Sequence, residues 1–168
     1  MMIGYSNVMK AVAAGVAALL IIAPASAAQK SKQTTTEIIK RQAPEKKQHR
    51  LVLQVNTNEP AMMNLALNNA TNVAQYYKDL GEKVSIEVVT FGPGLHMLRD
   101  DTSPVKARIE TMALSSPEIS FKACGNTQEN MRKAENKDIT LIAQAEVVKS
   151  GVVRVMELQE LGWAYVKP

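Results

Sequence analysis

The sequence predicts an α/β domain in which a parallel sheet of about five strands is covered on both faces by helices. Three observations lead there. Short runs rich in β-branched residues recur along residues 50–168, and each except the last is followed by a helical segment. Glycine, proline, serine and asparagine punctuate the boundaries. Strands that alternate with helices join through right-handed βαβ crossovers, which lay the strands parallel and the helices over the sheet.

The elements follow in chain order. "RLVLQV" (50–55) reads as a strand, and "NTNEP" after it offers Asn58 or Glu59 as a helix cap with Pro60 in the first turn. Met63, Leu67, Ala70, Val73 or Ala74, Tyr77 and Leu80 then share one helix face, and Gly81 ends it. "KVSIEVVTF" (83–91) is a second strand running into "GPGLHMLRDDTSP", a turn segment. A second helix begins near Ser103, with Pro104 in its first turn and Val105, Ile109, Met112 and Ala113 facing inward, and Ser115-Ser116-Pro117 stops it. "EISFKA" (118–123) leads to Cys124, beyond which Asn126 and Glu129 have the spacing of a capping box. Residues 134–144 carry no decisive period. "AEVVK" (145–149) is a short strand, Ser150 a cap, "GVVRVMELQELG" a helix closed by Gly162, and "WAYVKP" (163–168) a final strand.

Ahead of this domain the chain reads differently. Residues 1–27 hold one charge, Lys10, then an apolar run from Ala11 to Ile22, Pro24, and the small residues Ala25-Ser26-Ala27. That is the pattern of a secretory signal peptide cleaved after Ala27, with an apolar stretch too short to span a bilayer. A periplasmic or secreted location follows, without stable membrane insertion. Residues 28–48 are rich in Lys, Gln and Thr, and six cations stand against two acids there, a net of +4. This is the composition of a flexible basic linker. The whole chain carries 20 Lys and Arg against 16 Asp and Glu, so with Lys10 set aside residues 49–168 are left at −1. A folded part without positive excess lacks the electrostatic footprint of a nucleic-acid binder.

Parallel topology brings the segments leaving the strands to one edge of the sheet, where ligands of open α/β sheets bind. That edge collects Asn56, Gly92, Gly94, His96, Cys124, Gly125 and Asn126. The chain has no phosphate-binding glycine loop, dinucleotide fingerprint, zinc-protease helix or paired cysteines. With two histidines and one cysteine, no metal site and no cofactor is expected. Asp100 and Asp101 read as helix-capping or solvated carboxylates. "GPGL" is either a nest of backbone N–H groups for an anion or a plain strand-to-helix turn.

Cys124 is the candidate catalytic residue. It ends a strand, precedes Gly125 and lies ahead of a helix N-terminus, whose partial positive charge favours thiolate. His96 or Lys122 is placed to assist it, the latter if the strand pleat continues through Cys124. The residues leave two readings open: a reactive thiol, or a small buried hydrophobe.

Four segments in order, "LVLQVNTNEP", "IEVVTFGPGLHML", "FKACGNT" and "AEVVKSGVVRVMELQELGWAYVKP", together resemble the DsrE/DsrF-like family of sulfur-relay proteins, in its branch with a G-P-G-L loop and a C-G-N-T turn. The resemblance covers nearly all of residues 50–168. It implies a three-layer α/β/α domain with a five-stranded parallel sheet, flavodoxin-like in general architecture, assembled into trimers or hexamers. It also implies that Cys124 accepts sulfane sulfur as a persulfide and passes it to a partner protein. A lone thiol suits that role, because a second thiol nearby would attack the persulfide and discharge it. The competing expectation is a non-catalytic ligand-binding or assembly module with a structural cysteine.

Overall fold

In a computed structural model of the chain, residues 47–168 are described. The expected signal peptide (1–27) and the linker (28–48), apart from its last two residues, lie outside them. The first of five strands begins inside the expected linker: β1 spans Gln48–Val55, followed by β2 (Lys83–Thr90), β3 (Ile119–Cys124), β4 (Ala145–Val148) and β5 (Ala164–Val166). They form one sheet in the order β4-β3-β2-β1-β5. All neighbours run parallel, with Leu51 beside Ile86, Val88 beside Phe121 and Cys124 beside Val148. This is the expected α/β fold with helices on both faces of a parallel sheet.

The helices divide unevenly between those faces. α1 (Pro60–Asp79), α2 (Lys106–Ser115) and α3 (Gly125–Glu135) connect β1 to β4 stepwise in one direction, and right-handed crossovers therefore put them on one face. α4 (Gly151–Glu160) carries the chain back from β4 past β3, β2 and β1 to β5, and this reversal puts it on the other. The packing agrees. Leu51, Leu53, Ile86, Val88, Phe121 and Ala123 pack with Met63, Leu67, Ile109 and Met112 of α1 and α2, and Met131 of α3 lies against the same cluster. Val52 and Val89 pack instead with Val155 and Leu158 of α4, flanked by Phe91 and Trp163.

α1 keeps its expected face, with Met63, Ala66, Leu67, Ala70 and Ala74 buried. Leu80 is a correction: the helix ends at Asp79, Gly81 turns the chain at φ +67°, and Leu80 is left 56% exposed. α2 starts at Lys106 rather than near Ser103, because the Ser103 hydroxyl donates to the Met97 carbonyl and accepts from the Val105 N–H, closing a separate turn. "GPGLHML" is also more than a turn. Gly92–Leu98 forms a 3₁₀ helix that buries Leu95, Met97 and Leu98, with Gly94 seated on the end of β1, where a Cβ would meet the Val55 carbonyl oxygen. The undecided stretch 134–144 holds the end of α3, Asn136 in the left-handed region, and the buried Ile139 and Ile142.

Arg99 fixes the 3₁₀ helix to the far end of α3. It is 1% exposed and binds both carboxylate oxygens of Asp101 (2.9 and 2.8 Å) and of Glu135 (2.5 and 2.9 Å). Lys137 bridges the same two acids. Asp101 is therefore an ion-pair partner and not a cap, while Asp100 pairs with Lys106 at 2.6 Å.

Candidate active site around Cys124

The topology explains why a site forms at the end of β3. β3 and β4 are neighbours, but the chain leaves β3 into α3 on one face and leaves β4 into α4 on the other. Such a switch point opens a crevice at the carboxyl ends of the two strands. Both helices begin there. Cys124 is the N-cap residue of α3, and Gly151 opens α4 so close that a Cβ on it would lie 3.2 Å from the Cys124 Cβ and 2.9 Å from the Phe91 ring. Neither helix has an acid in its first turn, so the positive ends of both dipoles are left for another anion.

The environment of the thiol follows from this convergence. Cys124 is free and buried, 4% exposed. Burial pushes its thiol up, but the Thr127 hydroxyl and the backbone N–H groups of Gly151, Thr127 and Asn126 outweigh it and hold the thiol below its ordinary value. The Asn126 N–H is shared with the Lys149 carbonyl oxygen, 3.2 Å away, which ties the start of α3 to the end of β4.

Other expected site residues fall around this centre in different ways. Gly125 opens α3 in a tight place, where a Cβ would sit 3.2 Å from Val147 and 3.3 Å from the Val148 carbonyl oxygen. Gly92 has φ +54°, a left-handed conformation that favours glycine, and its N–H donates to the Thr127 hydroxyl at 3.0 Å. Gly94 and Asn56 meet at the end of β1. His96 is engaged elsewhere, its Nδ1 2.8 Å from the Thr102 hydroxyl. Lys122 does point to the same side as Cys124, since the ladder continues through Cys124, but its Nζ is paired with Glu146 at 2.5 Å. The capping box is a correction. The helix begins at Gly125, one residue before Asn126, no side chain caps it, and Glu129 pairs with Arg132 and Lys133.

Two residues of the site were missed by the sequence reading, Thr127 and Gly151. Thr127 stood within the quoted "CGNT". Glycine at the first position of a helix was the available signal for Gly151, because glycine weakens helices and its presence there calls for a packing reason.

A cleft of about 540 Å³ borders the crevice, lined by Asn126, Val148, Lys149, Ser150, Val153, Arg154 and Glu157. Lys149 and Arg154 give it cationic groups, and Arg154 also anchors α4 to the sheet through Glu87, at 2.9 and 2.5 Å. A second groove, about 470 Å³, lies between α1 and β5 and includes His49, Asn72, Tyr77 and Val166. None of its residues belongs to the turn around Cys124, so the thiol chemistry belongs to the first. Among the described residues no group of three or more His, Cys, Asp and Glu is placed to hold a metal ion. No helix there is long and apolar enough to cross a membrane.

No protein-family model matches the chain, and no curated protein matches it. Among solved structures, the protein of unknown function MTH1491 from Methanobacterium thermoautotrophicum is similar, with 30% sequence identity over 71% of this chain and 99% of that one, and a TM-score of 0.60. This chain belongs to the MTH1491 family. What the MTH1491 family does is not given by that relative, so function has to be argued from the crevice.

Proposed function

We propose that the protein is an exported DsrE/DsrF-like sulfur carrier in which Cys124 accepts sulfane sulfur as a persulfide. The observation that carries this reading is the place of Cys124, at the N-cap of α3 with Gly151, the first residue of α4, packed against its Cβ, so that two helix N-termini converge on the thiol. Such an environment favours thiolate, and thiolate is the nucleophile. With thiosulfate as donor, the Cys124 sulfur attacks the outer sulfur atom. A sulfur–sulfur bond forms at Cys124, the one in thiosulfate breaks, and sulfite leaves with the electron pair. An acceptor nucleophile then takes the outer sulfur and restores the thiolate, with no external oxidant or reductant. Lys149 in the adjoining cleft suits an anionic donor.

The burial of Cys124 favours a second reading, a binding or assembly module with a structural cysteine. Labelling the native protein with a thiol reagent separates them. Reaction faster than a small free thiol at neutral pH supports the carrier, and protection until denaturation supports the module. The exposed β5 residues Ala164, Tyr165 and Val166 support self-association, as a trimer or hexamer, because an open apolar sheet edge invites pairing. A monomer by light scattering at micromolar concentration counts against it.

A further inference from the structure

We propose that α4 is a two-fold interface, on which a second copy of this chain docks its own α4 in the antiparallel direction. The inward side of the helix faces the sheet, where Val155 and Leu158 are buried. Its outward side is also apolar. Val152 is 52% exposed, Val153 46% and Met156 55%. Val153, Met156 and Glu160 recur at three and four residues, which puts them in one line on the side away from the sheet. A helix that is apolar all round is a buried one. The other helices do not share this pattern: among the described residues α3 exposes no large apolar side chain, α2 exposes Leu114, and α1, with 20 residues, exposes Leu65 and Tyr76.

The charges on α4 select a second copy as the occupant and set its direction. Anions suit a helix N-terminus and cations a C-terminus. α4 has the reverse arrangement: Lys149 precedes its N-cap, no acid lies in its first turn and no base in its last, and Glu157 and Glu160 stand near its end. Within one subunit these charges oppose the helix dipole. An antiparallel copy corrects the mismatch, because each basic end then lies beside an acidic one. If Val153 faces Met156 of the other copy, the same register sets Lys149 against its Glu160, and the two-fold axis repeats both contacts. Lys149 and Glu160 are exposed and have no ion pair among the described residues, whereas Arg154 is held by Glu87. Lys149 and Val153 also line the cleft beside Cys124, so the end of the other copy's helix forms a wall of that cleft. Lys149 then meets a carboxylate in the dimer and is available to an anionic donor in the separate subunit.

Sedimentation equilibrium of the purified protein at micromolar concentrations tests this. The wild type should form a dimer or a larger assembly with an even number of subunits, since a two-fold contact joins them in pairs. Val153→Glu and Met156→Glu place a charge in the seam and should each weaken association by about tenfold or more. Both side chains are exposed in the single subunit, so the variants should fold as the wild type does. Lys149→Glu and Glu160→Lys improve the match to the helix dipole within the subunit, yet each sets like charges together across the seam and should weaken association about tenfold. The double variant, which exchanges the two signs, should restore it. A monomer or a trimer at every concentration overturns the inference, and so does an assembly that Val153→Glu and Met156→Glu leave intact, which would place the contact at the β5 edge instead. Weakened association that the double variant does not restore overturns the antiparallel arrangement. Sulfur uptake is scored separately on the wild type, so a protein that pairs as expected and takes up no sulfur defeats the carrier reading alone.

Discussion

On the face covered by α1, α2 and α3, twenty buried residues among those described form one apolar cluster, whereas under α4 the buried cluster is Val52, Val89, Val155 and Leu158. The polar character is distributed in the opposite way. Glu87, Ser120, Lys122 and Cys124 alternate with core residues in β2 and β3 and so lie on the α4 side, where Arg154 holds Glu87 and Glu146 holds Lys122. The first face is built for stability, since each large side chain buried there contributes about 2 kcal/mol. The second trades apolar contact for a helix held by one ion pair, with its N-terminus against the thiol.

The largest effect expected from this difference is in the first face. Leu67→Ala should lower the unfolding free energy by about 3 kcal/mol in urea melts while leaving native labelling of Cys124 unchanged. Faster labelling from that variant would mean that the faces are not separable. Arg154→Ala removes the anchor of α4 and leaves Glu87, 7% exposed, without its partner. A loss of about 2 kcal/mol is expected, and here the midpoint of a thiolate titration by ultraviolet absorbance should rise, because α4 carries the Gly151 N–H away from the sulfur. Gly151→Ala is smaller and more local. The new Cβ presses on Phe91 and Cys124, so a loss on the order of 1 kcal/mol should accompany a higher midpoint in the thiolate titration. An unchanged midpoint would show that the Gly151 N–H does not act on the sulfur.

The smallest effect concerns acid. The Arg99 guanidinium holds Glu135 down at about 2, from an ordinary 4.5, and holds Asp101 well below the usual carboxylate range. Carboxylates depressed by folding contribute stability that is full above their ordinary values and is lost as pH falls through the depressed ones. The wild type should therefore lose stability between pH 4.5 and about 2, and Arg99→Met should flatten that part of the pH profile. An equal acid slope in both proteins would remove the network from the account.

How far the sequence discloses this depends on the range of the interactions. The strands were legible because "LVLQV" and "IEVV" are local β-branched runs, and parallel pairing follows from their alternation with helices. The position of Cys124 at the carboxyl edge followed from the same reasoning. The 3₁₀ helix was not legible, because the glycines and proline of "GPGL" signal a turn, while the burial of Leu95 and Leu98 depends on the end of β1. Asn126 and Glu129 have capping-box spacing, yet the cap position falls two residues earlier, on Cys124. The approach of Gly151 to Cys124 arises from a strand order that local patterns do not encode.

The central claim is that Cys124 is a sulfur acceptor, and intact mass spectrometry tests it most directly. After incubation of the reduced protein with thiosulfate or polysulfide, the account predicts the gain of one sulfur atom, removed by a reductant and absent from Cys124→Ser. A wild-type mass that stays unchanged in the native state, while the denatured chain takes up sulfur under the same conditions, would contradict it and leave Cys124 as a buried structural thiol.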